Sequence, residues 1–160
     1  MRQCTDKYNF CYTYSTLERF KLIISIYLIL IRDNKILLMR RKNTGYEDGK
    51  YGLPAGHLEN NETISEGLQR EVKEEIRIDI KRNDLRLVHT MHRRENDIRV
   101  DFFFEADHYT GTPVNNEPEK CDDLQWFPLA QLPDTIIPYI KLAIDNSLHK
   151  IIYSEVGWEA

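Results

Sequence analysis

The stretch GHLENNETISEGLQREVKEEI, residues 56–76, constrains the fold of this chain more strongly than any other. From Glu62 to about Arg77, apolar residues recur every four positions, at Ile64, Leu68, Val72 and Ile76. This spacing predicts an amphipathic helix whose apolar side packs against a sheet. Asn60 or Asn61 is expected to cap the start of the helix.

The predicted helix also concentrates carboxylates on one side. With about 100° between successive residues, Glu71, Glu74 and Glu75 fall within an arc of roughly 100° next to the apolar side. Gly67 lies in the same arc and would leave room for another group to approach the helix. Like charges three and four residues apart repel by roughly 0.2–0.5 kcal/mol per pair. A divalent cation such as Mg²⁺, which prefers oxygen ligands, would turn this repulsion into attraction. An acidic surface that faces solvent is the alternative explanation.

Strands are predicted on both sides of this helix. Leu22–Arg32 and Lys35–Arg41 have the pattern of a β-hairpin, because Asp33 and Asn34 between them tolerate a left-handed backbone. Three more strands and a second helix are predicted at about Arg86–His92, Ile98–Asp107, Leu124–Phe127 and Ile136–Lys150. Two long loops are predicted at residues 42–56 and 109–123. This order of elements predicts an α+β domain with a mixed sheet and helices packed on it.

Length and charge narrow the class of protein. A chain of 160 residues is expected to form one domain, here residues 19–155, preceded by an arm of uncertain order at residues 1–18. The net charge of −4 gives no reason to expect a nucleic-acid polymer as a partner. The longest apolar run, Leu22–Ile31, is too short to cross a bilayer, so no membrane partner is expected. The sparse cysteines fit a reducing cytoplasm better than a disulfide framework: Cys4, Cys11 and Cys121.

Eight residues stand at the spacing of the Nudix box, and they carry a resemblance to that family: Gly56, Glu62, Arg70, Glu71, Val72, Glu74, Glu75 and Ile78. The box spans residues 56–78 and is preceded by YGLPAG, which resembles the approach loop of the family. The later segments GTPV and LQWFPLAQLP are similar to MutT-like members that cleave nucleoside triphosphates. The resemblance covers roughly residues 20–150.

Two positions depart from the family pattern. Arg77 stands where the box has a glycine, and Ala55 stands where the approach loop often has one. A glycine just after a helix adopts the left-handed backbone easily, whereas another residue in that conformation costs on the order of 1 kcal/mol. We therefore expect the helix to end differently or to run slightly longer, with its carboxylates unaffected.

The resemblance implies both the fold and the chemistry of the chain. It implies a Nudix-type α/β/α sandwich with a partly antiparallel mixed sheet, and hydrolysis of a phosphoanhydride with Mg²⁺, for which Mn²⁺ can substitute. The implied metal ligands are the backbone carbonyl of Gly56 and the carboxylates of Glu71, Glu74 and Glu75. Glu71 could instead, or also, act through a water as general base. Arg70 is implied to pair with Glu62 and to orient its neighbours.

Residues outside the box are expected to complete the site. Many family members use a further acid, and the candidates here are Glu117, Glu119, Asp101 and Glu105. Phosphates are expected near basic residues at strand ends, namely Arg40, Arg41, Lys42, Arg93 and Arg94. Neighbours on a strand face opposite ways, so Trp126 is expected in the core and Phe127 against a nucleobase. For each of these residues, an ordinary solvated or packed position is the alternative.

The leading functional prediction is a metal-dependent hydrolase that converts a nucleoside triphosphate, natural or modified, to the monophosphate and pyrophosphate. An ADP-ribose or nucleotide-sugar pyrophosphatase is the alternative enzyme, and a non-catalytic nucleotide-binding regulator is the alternative of another class. Because every box carboxylate is present, an enzyme is favoured. Selectivity for an oxidised purine lacks support, since DTIIPYI after Pro133 has no acidic pair to read such a base. We expect a cytoplasmic monomer or homodimer that acts on a small nucleotide.

Overall fold

The computed structural model describes residues 20–158, and the predicted arm at residues 1–18 lies outside this part of the chain. Within it the strands are β1 (Ile23–Ile29), β2 (Ile31–Arg32), β3 (Lys35–Arg41), β4 (Tyr51–Gly52), β5 (Ala55–His57), β6 (Leu85–Arg94), β7 (Ile98–Ala106), β8 (Cys121–Pro128) and β9 (Tyr153–Val156). The helices are α1 (Ile64–Ile76) and α2 (Pro138–Leu148), with a short 3₁₀ helix at Arg82–Asp84. None of the helices in the described range is both long and apolar enough to cross a membrane.

The strands form two sheets with helices on both sides. One sheet has the order β5-β1-β7-β6-β9, and in the other β3 pairs with β2, β4 and β8. β1 pairs in parallel with β7, and β6 with β9, whereas the remaining ladders are antiparallel. Helix α1 packs on β1 and β5, and α2 packs on β6. The predicted α+β class with a mixed sheet is confirmed.

The apolar run Leu22–Arg32, predicted as one strand, is divided between the two sheets. β1 ends before Leu30, and β2 then pairs with β3 in the other sheet. Leu30 is fully buried, and its carbonyl accepts a hydrogen bond from the backbone N–H of Leu37 at 3.0 Å. The predicted hairpin is therefore confined to β2 and β3, and its turn is as expected, with φ of 50° at Asp33 and 59° at Asn34. A run that is buried on both faces carries no periodicity that would reveal such a break.

Two cores lie on opposite faces of the strands. Alternate residues of β1 and β3 point to opposite faces, so each strand contributes to both cores. The core under α1 includes Ile26, Leu28, Leu37, Leu68 and Val72. The core under α2 includes Tyr27, Ile29, Leu38, Ile140 and Ile144. Trp126 packs against the first core and Phe127 against the second, so these neighbours do face opposite ways.

Helix α1 has a defined start and end. Its cap is Thr63, and not Asn60 or Asn61: the Thr63 hydroxyl accepts from the backbone N–H of Glu66, and the Glu66 carboxylate accepts from the backbone N–H of Thr63. At the other end Arg77 adopts the left-handed conformation, with φ 58° and ψ 33°. The helix thus ends where a box glycine would end it, contrary to our expectation. The cost of about 1 kcal/mol for a non-glycine residue there has to be offset by other contacts.

We had expected Gly67 to leave space for another group. The structure shows instead that this glycine lets α1 approach the sheet closely. A Cβ atom at this position would stand 2.8 Å from Ile26 Cδ1 of β1 and 2.8 Å from Glu62 Oε1. Because the helix begins only at Ile64, Glu62 lies on the preceding turn and folds back over the helix. The glycine therefore sets the distance between the acidic side of α1 and the strand beneath it.

A strand that was not predicted follows α2. The pattern YSEV is too short to show an alternation, yet β9 pairs in parallel with β6. His89 of β6 is fully buried and connects the two segments. Its Nδ1 lies 2.8 Å from the carbonyl of Ile151, and its Nε2 lies 2.9 Å from Ser154 Oγ.

Candidate active site

One cavity of about 630 Å³ gathers the carboxylates of the acidic helix. Glu71, Glu74 and Glu75 of α1 line it together with Gly56 of β5. Residues of β3 and of the loop that leads into β8 complete the lining, among them Met39, Arg40, Arg41, Glu117, Lys120 and Cys121. The volume lies within the range of small-molecule sites, which is about 300–1,000 Å³. The packing of α1 on β1 and β5 thus turns its acidic side towards a space that a ligand can occupy.

Gly56 lies directly against the carboxylate of Glu71. A Cβ atom at Gly56 would overlap the carboxyl carbon and both oxygens of Glu71, so a larger residue could not fit without displacing this side chain. Burial raises the pKa of Glu71, although Arg70 donates a hydrogen bond to it at 2.8 Å. The glycine therefore keeps a backbone segment and a partly desolvated carboxylate in contact.

Glu75 is a desolvated carboxyl with few protein partners. The backbone N–H of Ala55 donates to its Oε2 at 2.9 Å. Burial raises the pKa of Glu75 to about 8, and the negative charges of Glu71 and Glu117 act in the same direction. Since Ala55 contributes only its backbone, the absence of a glycine there does not alter this contact. Carboxyl groups that line one cavity are the oxygen donors that a divalent cation prefers, so the residues present fit Mg²⁺.

Arg70 links the acidic residues into one network. Its Nη2 and Nε donate to the two carboxylate oxygens of Glu62 at 2.8 and 3.1 Å. Its Nη1 donates to Glu71 at 2.8 Å and to Glu74 at 3.3 Å, and Nη2 also reaches the carbonyl of His57 at 3.3 Å. The hydrogen bonds from Arg70 hold the pKa of Glu62 below its ordinary range. The structure thus brings Arg70 and Glu62 together in the predicted pairing.

The carboxylates are close to one another but are directed to protein partners. Within residues 20–158, no group of three or more acidic, histidine or cysteine side chains is already arranged to hold a metal ion. Glu71 and Glu74 are bound by Arg70, and Glu75 is bound by the Ala55 N–H. Each of these bonds engages one oxygen of its carboxylate and leaves the second oxygen available to an ion.

Glu117 is the acid from outside the box that the structure brings to the cavity. It lines the cavity wall, and its Oε1 accepts from Lys120 Nζ at 2.8 Å. Its charge contributes to the raised pKa of both Glu71 and Glu75. A fourth carboxylate, carried by the loop that leads into β8, therefore lines the same cavity as the three of α1.

The other three candidate acids are not brought to this cavity. Glu119 is exposed and lies outside the lining. Asp101 is fully buried in an ion pair with Arg93, whose Nε lies 2.7 Å from Asp101 Oδ2. Glu105 accepts a hydrogen bond from Ser147 of α2 at 2.8 Å.

The basic residues expected near phosphates are also divided. Arg40 and Arg41 line the cavity, whereas Lys42, Arg93 and Arg94 do not. The Nε of Arg40 forms an ion pair of 2.6 Å with an aspartate of β8. The Nε of Arg41 donates at 2.8 Å to a carbonyl in the loop after β3. Lys120, which we had not predicted, adds a third positive charge to the lining.

A second cavity of about 80 Å³ adjoins the first and was not predicted from the sequence. Both cavities are lined by Arg41, Gly52, Leu53, Ala55, Gly56 and His57. The smaller one is further lined by Ser25, Tyr27, Tyr46, Arg99 and Tyr139. No local pattern points to this set, because its members lie on elements far apart in the chain.

Polar atoms with unmet hydrogen-bonding capacity lie beside the second cavity. Within the described residues, Ser25 Oγ and Arg99 Nε of its lining have no hydrogen-bond partner. The same holds for Asp101 Oδ1 and Arg93 Nη2 of the buried ion pair. Ser25 and Asp101 are direct neighbours in the parallel pairing of β1 and β7. Because buried polar atoms are generally hydrogen-bonded, this group is suited to a polar ligand or to water.

Phe127, which we expected against a nucleobase, lines neither cavity. It belongs to the core under α2 and packs edge-on against Tyr51, with 4.9 Å between the ring centroids. Three tyrosines line the second cavity instead, at positions 27, 46 and 139.

Comparison with known proteins places these features in a family. The family model of the NUDIX domain matches residues 21–146. An ADP-ribose pyrophosphatase from Methanocaldococcus jannaschii is 32% identical over 137 residues, which cover 82% of this chain and 71% of that protein. An oxidized purine nucleoside triphosphate hydrolase from Mus musculus is 29% identical over 116 residues, 66% of this chain and 67% of that protein. The crystal structure of a MutT NUDIX hydrolase from Burkholderia pseudomallei matches with a TM-score of 0.72 and 26% identity, over 79% of this chain and 98% of that one.

Proposed function

The chain belongs to the Nudix hydrolase family, whose members act on pyrophosphate bonds, and from this premise we propose that it hydrolyses a nucleoside triphosphate, natural or modified, to the monophosphate and pyrophosphate. Water adds to a phosphorus of the α–β anhydride, and the bond from that phosphorus to the bridging oxygen breaks. The observation that carries the proposal is the convergence of Glu71, Glu74, Glu75 and Glu117 on one cavity of suitable size. We further propose that residues 19–155 form this single hydrolase domain.

A divalent metal is part of the proposal. Glu71, Glu74, Glu75 and Glu117, with the carbonyl of Gly56, would hold Mg²⁺, and Mn²⁺ could take its place. When bound, the metal would neutralise phosphate charge and lower the pKa of the attacking water. The raised pKa of Glu75 supports this, since a partly desolvated carboxylate among other carboxylates is costly without a positive charge nearby.

The side chains themselves would orient the site and accept a proton. Arg70 restrains Glu71 and Glu74 while its paired hydrogen bonds to Glu62 limit its own movement. Arg70 is therefore a positioning residue in this proposal. A carboxylate oxygen of Glu71 could accept the proton released by the attacking water, in place of or in addition to binding the metal.

The remaining lining suits the rest of a nucleotide. Arg40, Arg41 and Lys120 supply positive charge for the phosphates that are not at the metal. A polar group of the nucleotide would enter the second cavity, where Ser25 Oγ and Arg99 Nε have no hydrogen-bond partner among the described residues. The shared wall of the two cavities supports this placement, because a single ligand could then occupy both.

An assay with Mg²⁺ and a panel of nucleotides tests the proposal. The panel would contain the nucleoside triphosphates, an oxidised purine triphosphate, ADP-ribose and a nucleotide sugar. We expect at least one triphosphate to yield the monophosphate and pyrophosphate, with no release of orthophosphate. A protein that binds Mn²⁺ but hydrolyses nothing in the panel would contradict the enzyme and favour a nucleotide-binding regulator.

Hydrolysis of ADP-ribose is the second candidate function. It is favoured by the similarity to the archaeal ADP-ribose pyrophosphatase, and it would use the same carboxylates. Its products would be AMP and ribose 5-phosphate. If kcat/KM is higher for ADP-ribose than for every triphosphate, this function replaces the leading proposal.

A further inference from the structure

Arg77, which replaces the glycine of the Nudix box, connects the end of α1 to the loop that carries Glu117. This cross-link is a hydrogen bond from its side chain to Asn116. We propose that Arg77 is a positioning residue, which acts through Asn116 to fix Glu117 relative to the carboxylates of α1. This inference rests on the proposed function, because it concerns the metal site on which that function depends.

The end of α1 holds Asn116 through three hydrogen bonds. Arg77 Nε donates to Asn116 Oδ1 at 2.5 Å. Asn116 in turn donates from Nδ2 to the carbonyl of Glu74 at 2.6 Å, and from its backbone N–H to the carbonyl of Glu75 at 2.9 Å. A further N–H of this loop donates to the carbonyl of Ile76 at 3.1 Å. Carbonyls at a helix end lack partners within the helix, and here the loop supplies them.

Glu117 follows Asn116 directly, so the cross-link and the acid are adjacent in the chain. The backbone of Glu117 is fixed from its other side as well. Its N–H donates to Asn115 Oδ1 at 3.1 Å, and its carbonyl accepts from the N–H groups of Lys120 and Cys121 at 2.9 Å each. Glu117 is therefore held from two sides, and loss of the anchor at Asn116 would leave its backbone held from one side only.

Backbone geometry alone does not account for an arginine at this position. The left-handed conformation of Arg77 favours glycine, and a glycine would keep the same turn. The loop already approaches closely, since a Cβ atom at Gly111 would stand 2.9 Å from the carbonyl oxygen of Arg77. In the described part of the chain, the side-chain bond to Asn116 is the contact of Arg77 that a glycine could not make.

Charge and positioning predict opposite effects of removing the Arg77 side chain. Loss of a positive charge near a cluster of carboxylates would by itself strengthen the binding of a cation. Loss of the cross-link would weaken it, because Glu117 would no longer be held towards the other ligands. A weaker binding can therefore be attributed to positioning and not to charge.

The test measures Mn²⁺ binding to the substrate-free protein by electron paramagnetic resonance. We expect Arg77→Gly to raise the Kd for Mn²⁺ about tenfold, as for residues that orient metal ligands. Its thermal midpoint should stay close to that of the wild type, because glycine relieves the left-handed strain while the hydrogen bond to Asn116 is lost. Lys150→Gly is the matched control, since Lys150 is also left-handed, with φ 60°, and lines neither cavity. Its Kd should match that of the wild type.

A double-mutant cycle with Glu117→Gln makes the test specific. If Arg77 acts through Glu117, Arg77→Gly should cause no further loss of affinity in the Glu117→Gln background. An unchanged Kd in Arg77→Gly or an equal loss of affinity in both backgrounds would overturn the inference and leave the proposed function intact. A wild-type protein that binds no Mn²⁺ would instead overturn the metal-dependent function, and the inference with it.

Discussion

The three carboxylates of α1 lie in different environments although they share one side of one helix. Glu75 is desolvated, with a pKa of about 8, and Glu71 is packed against Gly56. The side chain of Glu74 remains 56% exposed. Substitution of Glu74 therefore removes a charge without disturbing the packing of its neighbours, which makes it the clearest probe of the proposed metal site.

We predict that Glu74→Gln lowers kcat/KM with Mg²⁺ on the order of 100-fold, because a proposed metal ligand loses its charge. Stability to heat should be unchanged or slightly higher, since a repulsion on α1 is removed. The control is Asp145→Asn, which removes a charge on the surface of α2, in an ion pair with Lys141 at 2.8 Å. Wild-type turnover in Glu74→Gln would show that the metal assignment is wrong.

At the level of elements, short segments are held by contacts with distant parts of the chain. β9 has four residues, too few for independent stability. It is held to β6 by its backbone pairing and by the buried His89. Each ring nitrogen of His89 forms a hydrogen bond, one with the carbonyl of Ile151 and one with the hydroxyl of Ser154. One ring nitrogen must donate to the Ile151 carbonyl, so the neutral ring can accept from the hydroxyl of Ser154, whereas the protonated ring cannot.

The environment of His89 predicts a loss of stability in mild acid. Burial lowers its pKa, and the hydrogen bond to the Ile151 carbonyl opposes this only in part. A histidine with a lowered pKa stabilises the fold above its unfolded pKa of 6.5, and this contribution is lost as the pH falls below that value. The free energy of unfolding should therefore fall between pH 7 and pH 5, by at most about 1.4 kcal/mol per pH unit from this group.

Denaturant titrations at several pH values measure this effect as a difference between variants. His89→Gln should show a shallower decline than the wild type, whereas the exposed His108→Gln should keep the full decline. The raised pKa values of Glu71 and Glu75 act in the opposite direction but are common to all three proteins. Parallel curves for His89→Gln and the wild type would contradict the prediction.

At the scale of the whole molecule, the site is assembled from segments that meet only in the folded state. The carboxylates of α1, the basic residues at the end of β3 and the loop before β8 line one cavity. Among four candidate acids, this arrangement selects Glu117 and leaves Glu119 in solvent. The two differ by two positions in the same loop, which makes them a natural pair for comparison.

We predict that Glu117→Gln lowers kcat with Mg²⁺ about tenfold and weakens Mn²⁺ binding to a similar extent, because one oxygen donor is lost. Glu119→Gln should retain both properties within about twofold, as is usual for exposed substitutions. Metal titrations of activity and direct Mn²⁺ binding would measure both effects. A larger loss in Glu119→Gln would mean that the loop rearranges when the metal binds.

The sequence by itself determined the features that depend on local spacing. Helix α1, its acidic side and the box residues follow from about 3.6 residues per turn and from fixed offsets along the chain. The turn at Asp33 and Asn34 is equally local, since it depends on the backbone preferences of two residues. The sequence also showed that Arg77 replaces the glycine of the box, but it did not show that Arg77 pairs with Asn116.

Tertiary structure alone decided the features that depend on contacts between distant residues. Among these are the pairing of Arg77 with Asn116, the choice of Glu117 and the second cavity beside Ser25 and Asp101. The division of the apolar run into β1 and β2 belongs to the same group. Residues separated by tens of positions meet through strand register and helix packing, and no period within one segment encodes which of them will meet.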